Sequence, residues 1–145
     1  NFYDMQIYCQ GAAGVLILGS TIAQGHIFQG VMVFNAYAPF YLRRSLANFF
    51  ANSFADASKY YSVIVDGGAQ NQFSNFRASS TNGSAGIGSQ GYRGAGVVIV
   101  GNSKKNMLNG LYTIAHASDL HIDAGATAWV DAWHPENTLS GGGPL

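Results

Sequence analysis

Three side chains that commonly bind metal ions alternate near the C-terminal end of the chain: Asp119, His121 and Asp123. Successive side chains of a β-strand point to opposite faces, so these three would share one face while Leu120 and Ile122 occupy the other. Such a face could hold a divalent cation through carboxylate and imidazole groups. Alternate residues of a strand are about 7 Å apart, which suits one or two ligands better than a full set. The competing interpretation is a solvated strand face, and we expect no metal and no cofactor.

Residues 114–121 (Ile-Ala-His-Ala-Ser-Asp-Leu-His) resemble the opening motif of the calcineurin-like metallophosphoesterases, whose Asp-x-His triplet contributes to a two-metal site. That family needs further ligands downstream, and here His134 is the one later histidine, so the site is not completed. The Gly-x-Gly-x-x-Gly pattern at 86–91 lacks the preceding strand and following helix of a dinucleotide site. No Gly-x-Ser-x-Gly elbow is present. The sequence therefore predicts that the chain is not an enzyme.

Two tryptophans with an acid between them form a candidate binding surface. Trp129, Asp131 and Trp133 alternate in a strand-like segment and would share one face. If exposed, the rings could stack on sugars or dock another subunit. Packing of both rings in the core is the alternative interpretation.

The region 69–96 is rich in Gly, Ser, Asn and Gln and contains few bulky side chains. A long loop in a compact domain usually contacts something, so this region is a candidate binding or inter-subunit arm. Phe73, Phe76 and Tyr92 are the aromatic residues through which the arm would bind. Flexible disorder fits the composition equally well.

The composition favours self-assembly and argues against several other functions. Charged residues make up 10% of the 145 residues, with seven basic and seven acidic side chains, and the low charge suits a surface covered by copies of the same chain. No run of like charge exists for nucleic acid or an anionic membrane. The longest aliphatic runs, 15–18 and 97–100, are far too short to span a bilayer. Cys9 is the single cysteine, which excludes an internal disulfide.

One long segment, 39–61, has apolar residues at helical spacing: Leu42, Leu46, Phe49, Phe50, Phe54 and Ala57. This spacing predicts an amphipathic helix of about five turns. The remainder reads as about eight strands, with a hairpin turn at 124–125 and no internal repeat. We therefore predict a mainly β protein, with residues 1–145 forming a single antiparallel β-sandwich domain capped by the helix.

Residues 110–114 (Gly-Leu-Tyr-Thr-Ile) and 124–130 resemble two strands of the C1q and tumour-necrosis-factor jelly rolls. Those trimeric heads have a Gly-x-Tyr-x-Phe strand and a later Gly-Asp-x-Val-x-Val strand. Ile114 replaces the Phe and Ala126 replaces the Asp, and the match covers about a tenth of the chain. The resemblance implies a jelly-roll-like sandwich that assembles as a trimer or a higher oligomer.

These observations favour a non-enzymatic structural subunit that packs against copies of itself. The first hypothesis is a virion protein of the shell, cement layer or spike, at the virion or an extracellular surface, with other virion or surface proteins as further partners. The second is an extracellular filament or pilus subunit that lends strand 2–10 to a neighbour by donor-strand exchange. The third is a carbohydrate-binding module that uses Trp129 and Trp133.

Overall fold

The computed structural model describes residues 1–19, 25–79, 95–114, 118–134 and 139–141. These residues form fifteen β-strands and no helix. The strands are β1 (Phe2–Tyr3), β2 (Gln6–Tyr8), β3 (Ala13–Leu18), β4 (Ile27–Gln29), β5 (Met32–Phe34), β6 (Ala38–Arg43), β7 (Phe49–Ala51), β8 (Phe54–Asp56), β9 (Val63–Asp66), β10 (Gln72–Ser79), β11 (Ala95–Val100), β12 (Asn106–Ile114), β13 (Ser118–Ile122), β14 (Ala128–Asp131) and β15 (Leu139–Gly141).

Every pairing between these strands is parallel, and each successive turn of the chain lies on the previous one. Sheet A contains nine strands, and sheet B contains β3, β6, β9, β11, β13 and β15. The chain is therefore a parallel β-solenoid. Its six coils are coil 1 (β1–β3), coil 2 (β4–β6), coil 3 (β7–β9), coil 4 (β10–β11), coil 5 (β12–β13) and coil 6 (β14–β15).

The coils correspond to a repeat in the sequence. Phe50 pairs with Phe28, 22 residues before it, and with Phe73, 23 residues after it. Phe73 then pairs with Leu108, 35 residues further on, because coil 4 includes residues 80–94. The expectation of no internal repeat was wrong, and the repeat is hard to recognise because this insertion interrupts an otherwise regular period.

A column of left-handed residues lies at the same place in all six coils. In coils 1 to 3 it separates the two strands that each coil contributes to sheet A, in coils 4 and 5 it lies within β10 and β12, and in coil 6 it follows β14. Its members have φ between 48° and 66° and are Asp4, Gly30, Asn52, Asn75, Gly110 and Ala132. Each member interrupts the strict alternation of the strand, so the next core side chain comes three residues later instead of two. The same left-handed turn therefore recurs in every coil, although the residue type at that position changes.

The helix predicted at 39–61 is wrong, because this segment forms β6, β7 and β8. Left-handed Arg44, Ala47 and Asn52 separate the straight pieces. From Phe40 to Ser58 the buried positions are therefore two residues apart within a strand and three apart across a turn: Phe40, Leu42, Ser45, Asn48, Phe50, Ser53, Ala55 and Ser58. When only the apolar residues are considered, this mixture of two-residue and three-residue intervals resembles the spacing of apolar residues in a helix.

The predicted antiparallel, jelly-roll-like β-sandwich is also wrong, since the two sheets are parallel and consecutive strands belong to one winding coil. Residues 124–125, predicted as a hairpin turn, connect β13 of sheet B to β14 of sheet A. The segment 110–114 that resembles the jelly-roll heads lies in β12, where Gly110 has a left-handed conformation. A resemblance over a few residues does not extend to the architecture.

Buried asparagines hold the turns of coils 3, 4 and 5 together. Asn48 donates from Nδ2 to Asn71 Oδ1 at 2.8 Å, and Asn71 donates from Nδ2 to Asn106 Oδ1 at 3.1 Å. The backbone N–H of Asn71 donates to the same Asn106 oxygen at 3.1 Å. All three side chains are buried, so each amide needs a partner inside the protein. The asparagine ladder supplies those partners from coil to coil.

Candidate assembly surface at the first coil

A column of stacked phenylalanine rings runs through the core and ends at coil 1. Phe73, Phe50, Phe28 and Phe2 follow one another with ring centroids 4.7–4.8 Å apart and planes within 8°. Phe28, Phe50 and Phe73 are buried, whereas Phe2 is 42% exposed. Since Phe28 covers one face of the Phe2 ring, the opposite face is directed away from coil 2. The column therefore ends in an uncovered aromatic face.

The core is open beside this ring. A cavity of about 380 Å³ lies beside Phe2, between the side chains of coil 1 and those of coil 2. The residues that line it are mainly apolar and include Phe2, Met5, Ile7, Val15, Ile17, Phe28 and Val31. In the inner coils, the side chains of the next coil fill the equivalent space, as Phe73 does for Phe50. Coil 1 has a neighbour on one side only among the described residues.

Coil 1 also concentrates exposed apolar side chains. Of the eleven large hydrophobic residues that are exposed in the described part of the chain, six belong to this coil: Phe2, Tyr3, Met5, Tyr8, Leu16 and Leu18. Tyr8 is 71% exposed and stacks on Phe34 with its ring centroid 4.9 Å away. Apolar patches on this scale usually mark an interaction surface.

The backbone at this end is a free sheet edge. Within the described residues, β1, β2 and β3 pair with β4, β5 and β6 of coil 2 and have no strand on their other side. Proteins usually protect such edges with charged residues, proline or a covering element. The strands and turns of coil 1 carry one charged side chain, Asp4. Its edge is thus open to pairing with another strand.

The two tryptophans predicted to share a face do not share one. Trp129 and Asp131 are exposed on β14, and Trp129 is 68% exposed. Trp133 is partly buried against the core and donates from Nε1 to Thr113 Oγ1 at 3.2 Å. The left-handed Ala132 between them shifts the alternation, so Trp133 turns inward.

Trp129 lies beside a shallow groove of about 350 Å³ that is also lined by Lys105, Met107 and Thr127. The groove therefore offers one exposed indole ring, not a pair. Asp131 is not part of its lining, and its Oδ1 accepts a hydrogen bond from the backbone N–H of Ala132 at 2.8 Å.

The aromatic residues predicted for the arm have different positions. Phe73 and Phe76 are buried in the core on β10, with ring centroids 5.4 Å apart and nearly perpendicular planes. β10 pairs with strands on both sides, so this part of 69–96 is an inner strand. Tyr92 lies outside the described residues, as do the other residues from 80 to 94.

The predicted alternation around His121 is observed. Leu120 and Ile122 lie in the core, while His121 Nε2 is 2.9 Å from Asp123 Oδ1 on the other side of the strand. Asp119 is fully buried. In the described part of the chain, no three His, Cys, Asp or Glu residues are grouped closely enough to hold a metal ion.

The local sequence pattern suggests a donor-strand role for residues 2–10 but does not reveal that coil 1 leaves the core open, since that depends on the repeat. The signal was present: phenylalanines recur at 28, 50 and 73, and asparagines at 48 and 71. Recognition of this period would have identified residues 2–18 as a coil of the solenoid, whose strands pair on one side only within the described residues.

Comparison with protein-family models, curated proteins and solved structures found no match to this chain. Across the described ranges, no helix is long and apolar enough to cross a membrane.

Proposed function

We propose that this protein is a non-enzymatic structural subunit that assembles with copies of itself through coil 1. The observation that carries the proposal is the open end of the core, where Phe2 has an uncovered ring face beside an apolar cavity of about 380 Å³. Solenoids normally end in a capping repeat with a polar outer face, because an exposed end leaves apolar surface in water. Covering this end with a second copy removes that surface from water.

The charge distribution favours the same conclusion. The chain has a formal net charge of zero, and coil 1 contributes a single acidic side chain. Two copies therefore approach without the like-charge repulsion that keeps many monomeric proteins apart.

The object that such subunits build is a virion component or an extracellular filament, and its location is the virion or an extracellular surface. Closed particles would favour the virion, and open fibres the filament. The donor-strand form of the filament requires residues 2–10 to leave β4 and β5, with which they pair in the same chain. Addition of another strand at the free edge keeps these pairings, and we favour it for that reason.

A second candidate function is carbohydrate binding at Trp129. The observation in its favour is the exposed indole ring beside the groove lined by Lys105, Met107 and Thr127. An exposed ring with polar groups around it can stack on a sugar and hydrogen-bond to its hydroxyls.

The mass of the native particle tests the proposed function. We expect light scattering and electron microscopy to show an assembly for the wild-type chain. Met5→Lys should weaken assembly more than tenfold, because a lysine would have to be buried without a partner in the covered end. Met107→Lys is the matched control, since Met5 and Met107 are exposed to 39% and 42% but Met107 lies in coil 5.

Assembly of the wild type and the control, with loss of assembly in Met5→Lys, would support the proposal. A wild-type monomer of 15.3 kDa would contradict it. If the tryptophan fluorescence of that monomer responds to glycans, and Trp129→Ala abolishes the response, the second candidate replaces the first.

A further inference from the structure

We propose that the element covering coil 1 is coil 6 of a second copy, so that copies join head to tail into one continuous solenoid. This inference rests on the proposed function and adds to it the identity and direction of the partner surface. It follows from the register of the coils, the side chains at the two ends and the direction of the strands.

The register is unbroken from the first coil to the last. Parallel pairings connect one inward column, whose members are Phe2, Phe28, Phe50, Phe73, Leu108 and Val130. The same pairings connect an outward column, whose members are Tyr3, Gln29, Ala51, Ser74, Asn109 and Asp131. A second copy placed one coil spacing beyond coil 1 would therefore present Val130 to Phe2 and Asp131 to Tyr3.

Coil 6 has the edges that such a junction needs. Within the described residues, β14 pairs with β12 alone and β15 with β13 alone, so each has its other edge unpaired. One edge belongs to sheet A and the other to sheet B, as at coil 1. Both sheets can thus continue across the junction with the parallel pairing used throughout the chain.

The side chains at the two ends are compatible. Val130 and Trp133 occupy the core columns of coil 6 but are only partly buried, whereas coil 1 has an apolar cavity lined by Phe2 and Met5. Met5 belongs to a column of equivalent positions whose member in coil 6 is Trp133. The Trp133 indole of a second copy would therefore lie over the open end of the cavity. Asp4 falls opposite Ala132 and its carboxylate lies over Gly30 of coil 2, so it is diagonal to Asp131 of the other copy and not directly opposite it.

A head-to-head pair would not reproduce this arrangement. A twofold axis perpendicular to the solenoid reverses the strand direction, so the edges of coil 1 would meet in antiparallel orientation. It would also reverse the outline of the coil, and the columns of the two copies would not coincide. Head-to-tail contacts use two different surfaces and do not close, so they produce open filaments.

Engineered disulfides test the direction of the contact. In a Cys9→Ser background, Tyr3→Cys and Asp131→Cys should form a disulfide between copies, because residues opposite each other on neighbouring strands lie about 4.8 Å apart, within disulfide range. Both positions are exposed, so neither change should disturb the fold. After mild oxidation, a non-reducing gel should show a ladder of dimers, trimers and larger species.

Two controls make the result specific. The pair Tyr3→Cys and Asn109→Cys has its second cysteine in the same column but inside coil 5, and should give no ladder. The single variant Tyr3→Cys should remain uncross-linked, since its partner position carries Asp131.

Each outcome decides a different point. Dimers from Tyr3→Cys alone would overturn the head-to-tail direction and leave the proposed self-assembly intact. If the wild type assembles but the Tyr3→Cys, Asp131→Cys variant gives no ladder, the head-to-tail direction is also overturned and the proposed self-assembly remains intact. A monomeric wild type would overturn both proposals, and a ladder from the pair alone would support both.

Discussion

Single residues in the left-handed conformation decide which side chains enter the core of this protein. In the part of the chain that the structure describes, eleven non-glycine residues have φ between 48° and 59°, and four of them are asparagines, which tolerate this conformation better than most residues. Alanine has no such tolerance, yet Ala47, Ala57 and Ala132 adopt it. At these alanines the coil geometry imposes a conformation that the residue type disfavours.

Ala47→Gly should therefore stabilise the protein by about 1 kcal/mol, because glycine adopts positive φ without the steric cost of a Cβ and that relief exceeds its greater chain entropy. Ala47 is exposed, so little packing is lost. Urea denaturation monitored by circular dichroism would measure the change.

The control is Ala51→Gly, on strand β7 with ordinary strand geometry. There the same substitution should destabilise by about 0.5–1 kcal/mol, since glycine gains nothing and loses more entropy on folding. Equal effects at the two positions would show that the φ of Ala47 does not matter to stability.

At the scale of elements, the coils are held in register by the asparagine ladder of Asn48, Asn71 and Asn106. Asn71 Oδ1 accepts hydrogen bonds from Asn48 Nδ2 and from Ser45 Oγ, at 2.8 Å and 3.2 Å. Since the ladder lies where each coil enters sheet A, it fixes the starting point of β7, β10 and β12. A shift by one residue would place the core side chains on the outer face.

Asn71→Ala should destabilise the protein by about 2–3 kcal/mol, because it leaves the buried Nδ2 group of Asn48 without its acceptor and removes the side-chain donor to Asn106 Oδ1. Asn109→Ala is the matched control: Asn109 is an exposed asparagine on β12, and its loss should change stability by less than about 0.5 kcal/mol. Denaturant midpoints with unchanged m-values would report both effects. Similar losses for the two variants would contradict a structural role for the ladder.

At the scale of the whole molecule, each coil of the solenoid contacts only its neighbours. Stability in such an array is the sum of coil and interface contributions, so an end coil has about half the interface of an inner one. Within the described residues, coil 1 pairs on one side only and leaves the core open, so its strands should open most readily. Assembly through this coil would supply the missing interface.

Amide hydrogen exchange should reveal this difference. In the Met5→Lys variant, which we expect to be monomeric, the amides of β3 should exchange at least tenfold faster than those of β9, the inner strand of the same sheet. In the assembled wild type, the protection of β3 should rise while that of β9 changes little. Uniform protection along sheet B in the variant would argue against a weakly held first coil.

Part of the fold and of the candidate sites could be predicted from local patterns. The mainly β content is evident from short apolar runs and frequent turn residues, and the alternation of Leu120 and Ile122 with His121 is observed in β13. The position of Trp133 could not be predicted in this way, because it depends on the conformation of Ala132. The burial of Phe73 depends on partners as distant as Leu108, which no local pattern specifies.

The sequence by itself determined that the chain would be rich in strands, low in charge and without a long apolar segment. Only the tertiary structure decided that the strands are parallel, that they wind as coils and that coil 1 leaves the core open. The physical reason is that alternation records which face of a strand is buried, and the same alternation serves parallel and antiparallel sheets. Pairing is decided by contacts between residues 22 to 35 positions apart, such as Phe28 with Phe50 and Phe73 with Leu108, and these exist only in the folded chain.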